Sequence, residues 1–264
     1  MAHVKSGETA ERFIVVQSTT STQNAGLFDF ILPRFTRETG IEVRVVAVGT
    51  GQALKNARNG DGDVVLVHSR VAEDTFVAEG WGVRRYDVMY NDFVLVGPQN
   101  DPAGIKGKGD AVAALQAIAA AQVPFLSRGD DSGTHQKELF LWAEAGVDVA
   151  KASGTWYCET GAGMGATLNT ATGMAGYTLT DRGTWIGFGN KGRQAVLVEG
   201  DDRLFNPYGV ILVNPARHMR VRAADGQRFI DWLIGSHGQQ AIADFKVEGQ
   251  QLFYPVHTSA KPNS

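Results

Sequence analysis

The chain has 264 residues, 43% of them hydrophobic and 20% charged, with 13 Phe and 5 Trp; this fits one large domain or two smaller ones and excludes a disordered chain. The formal net charge is −3, which gives no basic field for nucleic acid or an anionic membrane surface, so any small anion must be held by local dipoles and one or two placed cations. A single cysteine, Cys158, excludes an intramolecular disulfide and a cysteine metal cluster.

The run RFIVVQ (12–17) predicts a strand, STTST a loop, and Leu27, Ile31 and Phe35 a helix that Gly40 stops. Pro33 lies inside that helical pattern, where it removes a hydrogen bond, so a kink or a shorter first helix is expected. The grammar repeats with IEVRVVAV (41–48) before GTGQALKNARNG and DVVLVH (63–68) before SRVAEDTFVAEG. Short apolar strands alternating with helices predict a parallel sheet covered on both faces. From Asp87, DVMYNDFVLVGP reads as a long extended crossover into a second lobe, followed by the helix AVAALQAIAAA, the strand VPFLS, the helix HQKELFLWAEAG, and then TWYCE, GAGMGATLNTA, MAGYTLT and DRGTWIGFG. A second extended run, RLFNPYGVILVN (203–214), leads to a helical stretch, GQRFIDWLIGSHGQQAIADF, that returns to the first lobe. Two crossings make two hinges.

Glycine supplies 32 of the 264 residues, about 12% against a usual ~7%, and it gathers at helix entries. Four loops stand between a predicted strand and a predicted helix: STTST (18–22), VGTGQAL (48–54), SRGDDSGTH (127–135) and GAGMGATL (161–168). A helix start carries unpaired N–H groups and about half a positive charge, glycine lets the backbone approach, and hydroxyls add donors without charge. In open α/β sheets such loops gather at the carboxyl ends of the strands, so they predict a small anionic ligand. Each loop also has a plainer account: STTST as a helix cap, VGTGQAL as a tight turn, GAGMGATL as a flexible helix entry. SRGDDSGTH is the hardest to reduce to packing, because Arg128 is a fixed cation beside Ser132, Gly133 and Thr134.

Catalytic readings find less support. GDDSG is not the G-x-S-x-G elbow, and VGTGQAL has Leu54 where a dinucleotide fingerprint needs its third glycine. GIKGKGD lacks the Lys-Ser/Thr ending of a phosphate-binding loop, and the histidines at 3, 68, 135, 218, 237 and 257 show neither H-x-H nor H-E-x-x-H spacing. No enzyme, metal site or cofactor is expected. No run approaches the ~18 apolar residues of a membrane span, and the start MAHVKSGETAERF lacks a signal peptide's apolar core.

Taken in order, TTSTQNAGL, VGTGQAL, DVVLVH, MYNDFVLVGP, SRGDDSGTH, and ETGAGMGATLNTA followed by GYTLTDRGTW resemble the TupA-type tungstate-binding proteins, the solute receptors of bacterial tungstate ABC importers; the likeness runs from Phe13 to Val213. The resemblance implies the type II periplasmic binding protein fold, an α/β fold of two lobes joined by two extended hinge strands, with residues 1–90 and 207–264 in lobe I and 91–206 in lobe II. It implies a monomer that closes on a tetrahedral oxyanion, tungstate or molybdate, and is then recognised by an ABC transporter permease. It also implies a periplasmic or extracytoplasmic protein, so the sequence would begin after a signal-peptide cleavage site. Carried over residue by residue, the anion-binding set is Thr20, Ser21, Thr50 and Gly51 in lobe I, and Arg128, Ser132, Gly133, Thr134, Met164, Gly165 and Thr167 in lobe II. The first motif departs from the family's usual threonine at Ser18, which keeps the hydroxyl. His68, at the end of the third strand, either faces the ligand or is a capped or packed histidine.

The alternative is a phosphate-binding receptor, because Arg128, Asp130, Ser132, Gly133 and Thr134 also match an R-x-D-x-S-G-T pattern. Hydrogen phosphate needs a carboxylate acceptor for its proton, whereas a carboxylate facing a fully ionised dianion repels it. Asp130 therefore separates the readings: free to face the ligand it favours phosphate, and paired with Arg128 or capping the helix it favours tungstate. An anion-sensing regulator would share the fold, but no helix-turn-helix fits in the remaining residues.

Overall fold

The computed structural model describes residues 12–257. His3 and the start of the chain, on which the reading of a missing signal peptide rests, lie outside the described residues. The chain forms two compact units, Met1–Val88 with Tyr208–Ile242 and Pro255–Ser264, and Met89–Pro207 with Ala243–Tyr254.

In the first unit β1 (Phe13–Thr19) is flanked by β2 (Glu42–Val48) and β3 (Val64–Val67). Both pairings are parallel: Thr19 stands opposite Val48, and Val16 and Gln17 opposite Val64 and Val65. The β4 strand (Gly82–Pro98) and β9 (Phe205–Val213) complete this part of the sheet, in the order β2-β1-β3-β9-β4. β9 runs antiparallel to β3, with Val64 opposite Leu212. The sheet is therefore not parallel throughout, because β9 enters from the second unit and not through a helical crossover. Val65, Val67, Ile211 and Val213 pack with Ala53, Leu54 and Ala57 of α3 (Thr50–Arg58) and Phe76 of α4 (Arg70–Ala78). On the other face Val64 and Leu212 meet α9 (Ala223–Ile234) at Gly226, where a Cβ would lie 2.8 Å from Leu212. Burial on both faces explains why β3 is an unbroken apolar run.

The first helix differs from expectation. A short α1 (Thr20–Asn24) precedes α2 (Leu27–Thr39), and the break falls at Gly26, which has φ 81°. Pro33 sits inside α2 and is exposed, while Leu27, Phe28, Ile31 and Phe35 on the opposite side are buried. Phe35 meets Phe229 of α9 edge-on, with ring centroids 5.1 Å apart. That apolar burial outweighs the one hydrogen bond the proline removes.

A buried ion pair ties the strands of this unit to α4. Glu73 is fully buried; its two oxygens accept from the Ser69 N–H at 2.6 Å and from Arg85 Nε at 2.5 Å. Arg85 also donates to Asp87 at 2.6 Å. β9 passes so close that a Cβ at Gly209 would lie 2.0 Å from the Glu73 carboxylate, so only glycine fits there.

In the second unit the far half of β4 pairs antiparallel with β7 (Thr178–Asp181) and β8 (Gln194–Val198). β5 (Phe125–Ser127) pairs parallel with β6 (Tyr157–Glu159). Phe125, Trp142 and Tyr157 are centred in the core, which α5 (Ala111–Ala121) and α6 (Gly133–Glu144) close. α7 (Met164–Met174) buries Met164 and Leu168 against Val94, Val96 and Trp185 of α8 (Arg182–Gly187). The expected C-terminal helical run divides at Gly235 into α9 and α10 (Ser236–Asp244), followed by the short strands β10 (Lys246–Val247), β11 (Gln250–Gln251) and β12 (Tyr254–Pro255). Among the described residues no helix is long and apolar enough to cross a membrane.

Candidate functional site

Each unit carries one set of candidate donors at the carboxyl ends of parallel strands, the position that open α/β sheets use for ligands. In the first unit the register that sets Thr19 against Val48 brings β1 and β2 to an end side by side, so α1 and α3 start as neighbours. The hydroxyls of the first loop divide into two layers. Ser18, Thr19 and Thr22 are buried: Ser18 Oγ donates to the Leu66 carbonyl at 2.6 Å, and Thr19 Oγ1 lies 2.8 Å from Thr22 Oγ1 and 3.1 Å from Ser21 Oγ. Thr20 and Ser21 are exposed above them. Sequence reading singled out the outer pair and missed the inner support, although "STTST" contains both. Ser21 Oγ also lies 3.3 Å from His68 Nε2, and the His68 ring rests 4.8 Å from that of Tyr208. His68 thus both packs and reaches the first loop. Thr50 and Gly51 form the first turn of α3, which Gly49 precedes with no side-chain cap.

The second unit brings its two loops together tightly. Ser127 and Glu159 are paired at the ends of β5 and β6. Just beyond them the Thr160 N–H donates to the Ser127 carbonyl at 2.9 Å, and the Ala162 N–H to the Arg128 carbonyl at 3.2 Å. Thr160 Oγ1 lies 2.8 Å from Thr167 Oγ1. Arg128, the start of α6 and the start of α7 are therefore one constellation. Ser132 caps α6, its Oγ accepting from the His135 N–H at 3.3 Å; Gly133 is exposed and Thr134 buried. The Met164 side chain is in the core, so what it presents is a first-turn backbone N–H, beside exposed Gly165. Thr167 is fully buried, with its hydroxyl shared among Thr160 and the Ala162 and Gly163 carbonyls; its place is beneath the loop.

Apart from α10, which has no acidic residue in its first turn, the helices other than α1, α3, α6 and α7 carry an acidic group at their start. α2, α4 and α9 carry Asp29, Glu73 and Asp225 in their first turns, and α5 and α8 are capped by Asp110 and Asp181. α1, α3, α6 and α7 have no acidic residue in the first turn, and α1, α3 and α7 have no side-chain cap. At α1, α3 and α7 the first-turn N–H groups and the positive dipole end therefore meet neither an acidic first-turn residue nor a side-chain cap.

Asp130 stands just before α6. Its Oδ2 accepts from Arg128 Nη2 at 2.5 Å and Nε at 3.2 Å, and its Oδ1 accepts from the Ser132 N–H at 3.2 Å. Burial pushes this carboxyl up, but hydrogen bonds from Arg128 and Ser132 outweigh that and hold it below the usual carboxylate range. It is ionised at neutral pH, with both oxygens occupied. His135 Nδ1 accepts from the Asp131 N–H at 3.0 Å, so Ser132 and His135 form a helix cap and not a nucleophile and its base. Among the described residues no cluster of three metal-ligating side chains occurs.

Comparison with known proteins bears directly on this arrangement. Residues 4–237 match the PBP superfamily domain. The tungstate-binding protein TupA of Peptoclostridium acidaminophilum is 47% identical over 250 residues, 93% of this chain and 86% of the relative. This chain belongs to the TupA family. The solved structure of TupA from Desulfovibrio alaskensis G20 is 46% identical with a TM-score of 0.88, covering 92% of this chain and 98% of that one. A putative ABC transporter anion-binding protein of Haloferax volcanii is 44% identical over 263 residues, 98% of this chain and 76% of the relative. The family has the periplasmic binding protein fold, α/β with two lobes, and TupA proteins are binding proteins and not enzymes.

Proposed function

We propose that this chain is the substrate-binding receptor of a tungstate importer of the ABC type, taking tungstate, or molybdate as a near-isostere, and delivering it to a membrane permease outside the cytoplasm. The binding groups are Thr20, Ser21, Thr50 and Gly51 of the first unit, and Arg128, Ser132, Gly133, Thr134, Met164 and Gly165 of the second, with Thr167 and His68 placing the loops. The observation that carries the choice of ligand is Asp130. Both of its oxygens are engaged, by Arg128 and by the Ser132 N–H at the helix start, so its charge is offset by the guanidinium and does not stand as the free carboxylate that would repel a fully ionised tetrahedral dianion. One cation with its own counter-ion, surrounded by neutral donors, also suits a dianion, whose charge is spread over dipoles instead of meeting several lysines. Charge-assisted hydrogen bonds contribute about 1.5–3 kcal/mol each, so a handful supports affinity of roughly nanomolar order.

Calorimetric titration of ligand-stripped protein with tungstate, molybdate, sulfate and phosphate tests this. Tight tungstate binding with phosphate silent is the expected result; phosphate binding alone reassigns the chain to the phosphate receptors, and silence from all four returns the loops to capping and turning. Two glycine variants locate the contact. A Cβ at Gly51 or Gly165 meets nothing within 4 Å and neither residue has a positive φ, so Gly51→Ala and Gly165→Ala leave the ligand-free melting temperature unchanged or slightly raised. Tungstate affinity falls about tenfold or more where the anion lies against that backbone.

A further inference from the structure

Below the constellation of the second unit lies a carboxylic acid that the binding scheme does not use. Glu138 is 2% exposed and sits five residues into α6, about 7.5 Å along the axis from Gly133. Its Oε1 accepts from Tyr157 Oη at 2.7 Å, and the Ser127 hydroxyl also hydrogen-bonds it. Ser127 is the node of both loops. Its Oγ accepts from the Gly129 N–H at 3.2 Å, and its carbonyl accepts from Thr160 N–H at 2.9 Å and Oγ1 at 3.0 Å.

The other charged groups near Glu138 do not neutralise it. α5 has no ionisable side chain, β5 has none, and Glu159 of β6 adds like charge. On α6 itself Lys137 donates to the Phe205 carbonyl at 3.1 Å, and His135 accepts from Asp131. Asp181, the only ionisable residue of β7, caps Thr184. Arg128 is paired with Asp130.

We propose that Glu138 is a proton-linked positioning residue: binding of a dianion at the start of α6 drives Glu138 to its protonated form, so that the protein takes up a fraction of a proton with its ligand. The physical reason is repulsion between the dianion and a carboxylate a short way down the same helix, transmitted through a buried medium with little screening. Burial pushes the Glu138 carboxyl up to about 7, which puts the change in the range where it can be read. Linkage fixes the sign: a ligand that raises this pKa binds more tightly as pH falls. This inference rests on the proposed oxyanion reading.

The test is tungstate titration at several pH values between about 6.5 and 8.5, each in two buffers of different protonation enthalpy, so that the protons taken up per anion are counted. A shift of about one unit in Glu138 makes binding up to about tenfold tighter toward the acid end. In Glu138→Gln the uptake disappears and the affinity becomes flat with pH. Tyr157→Phe, which removes a donor that stabilises the ionised form, moves the uptake to higher pH. Uptake that persists in Glu138→Gln places the proton elsewhere and overturns the proposal; wild-type binding with no uptake overturns it as well. Absence of tungstate binding at every pH overturns the oxyanion reading and this inference with it.

Discussion

Arg128→Gln is expected to weaken tungstate binding about 30- to 1,000-fold, or about 2–4 kcal/mol. Two effects add. The variant loses the charge-assisted donors of the guanidinium, and it strands Asp130, whose oxygens Arg128 and Ser132 now hold at 2.5 and 3.2 Å. A stranded carboxylate beside the ligand repels a dianion, so Arg128→Gln with Asp130→Asn recovers part of the loss. Calorimetry on both single variants and the double variant measures that coupling. The ligand-free protein changes little in stability, because the pair is partly solvated. A loss below about threefold for Arg128→Gln removes the residue from the site.

Arg85→Met is expected to have the largest effect on stability, a loss of about 3–5 kcal/mol in urea unfolding. Glu73 is fully buried, and its carboxylate is held by Arg85 and the Ser69 N–H; without the guanidinium a buried charge is left with one donor. The loss depends on pH with a definite sign. Burial already pushes the Glu73 carboxyl from 4.5 up to about 7, and removing Arg85 takes away the groups that oppose that rise. An acid whose folded pKa is raised contributes stability below its unfolded pKa, and that contribution is lost as pH rises through the folded value. Arg85→Met is therefore weaker at pH 8 than at pH 5 relative to the wild type. Glu73→Gln combined with Arg85→Met recovers much of the loss, since it removes the stranded charge.

The strand and helix alternation of the first unit was legible because β1, β2 and β3 are short apolar runs bounded by Gly, Ser and Thr. The antiparallel course of β9 was not, since apolar content says nothing about strand direction. Pro33 misled for a definable reason: its local cost is real, but it faces solvent while Ile31 and Phe35 face the core, and packing decides. At the site, the loops were legible from their density of hydroxyls and glycines. Which hydroxyl faces outward was not, because Thr19 and Thr20 are identical in sequence and differ only in burial, at 3% and exposed. The pairing of Asp130 with Arg128 was one of two arrangements that the sequence allows, since both residues lie in one loop and only its folded course brings them together. Glu138 gave no signal, since one glutamate in an amphipathic helix looks like any other until its burial is known.

The route of the chain also sets an order of events during folding. The first unit is finished only when Val64 and Val65 meet Leu212 and Ile211, partners nearly 150 positions later, while most of the second unit, Met89–Pro207, is one continuous stretch. Closing a loop of that length is slow relative to local pairing. In refolding, the amides of β7 and β8 are therefore expected to gain protection before those that join β3 to β9, which pulsed hydrogen exchange measures. Until β9 arrives, the edge of β3 is an open pairing surface that the finished sheet no longer displays.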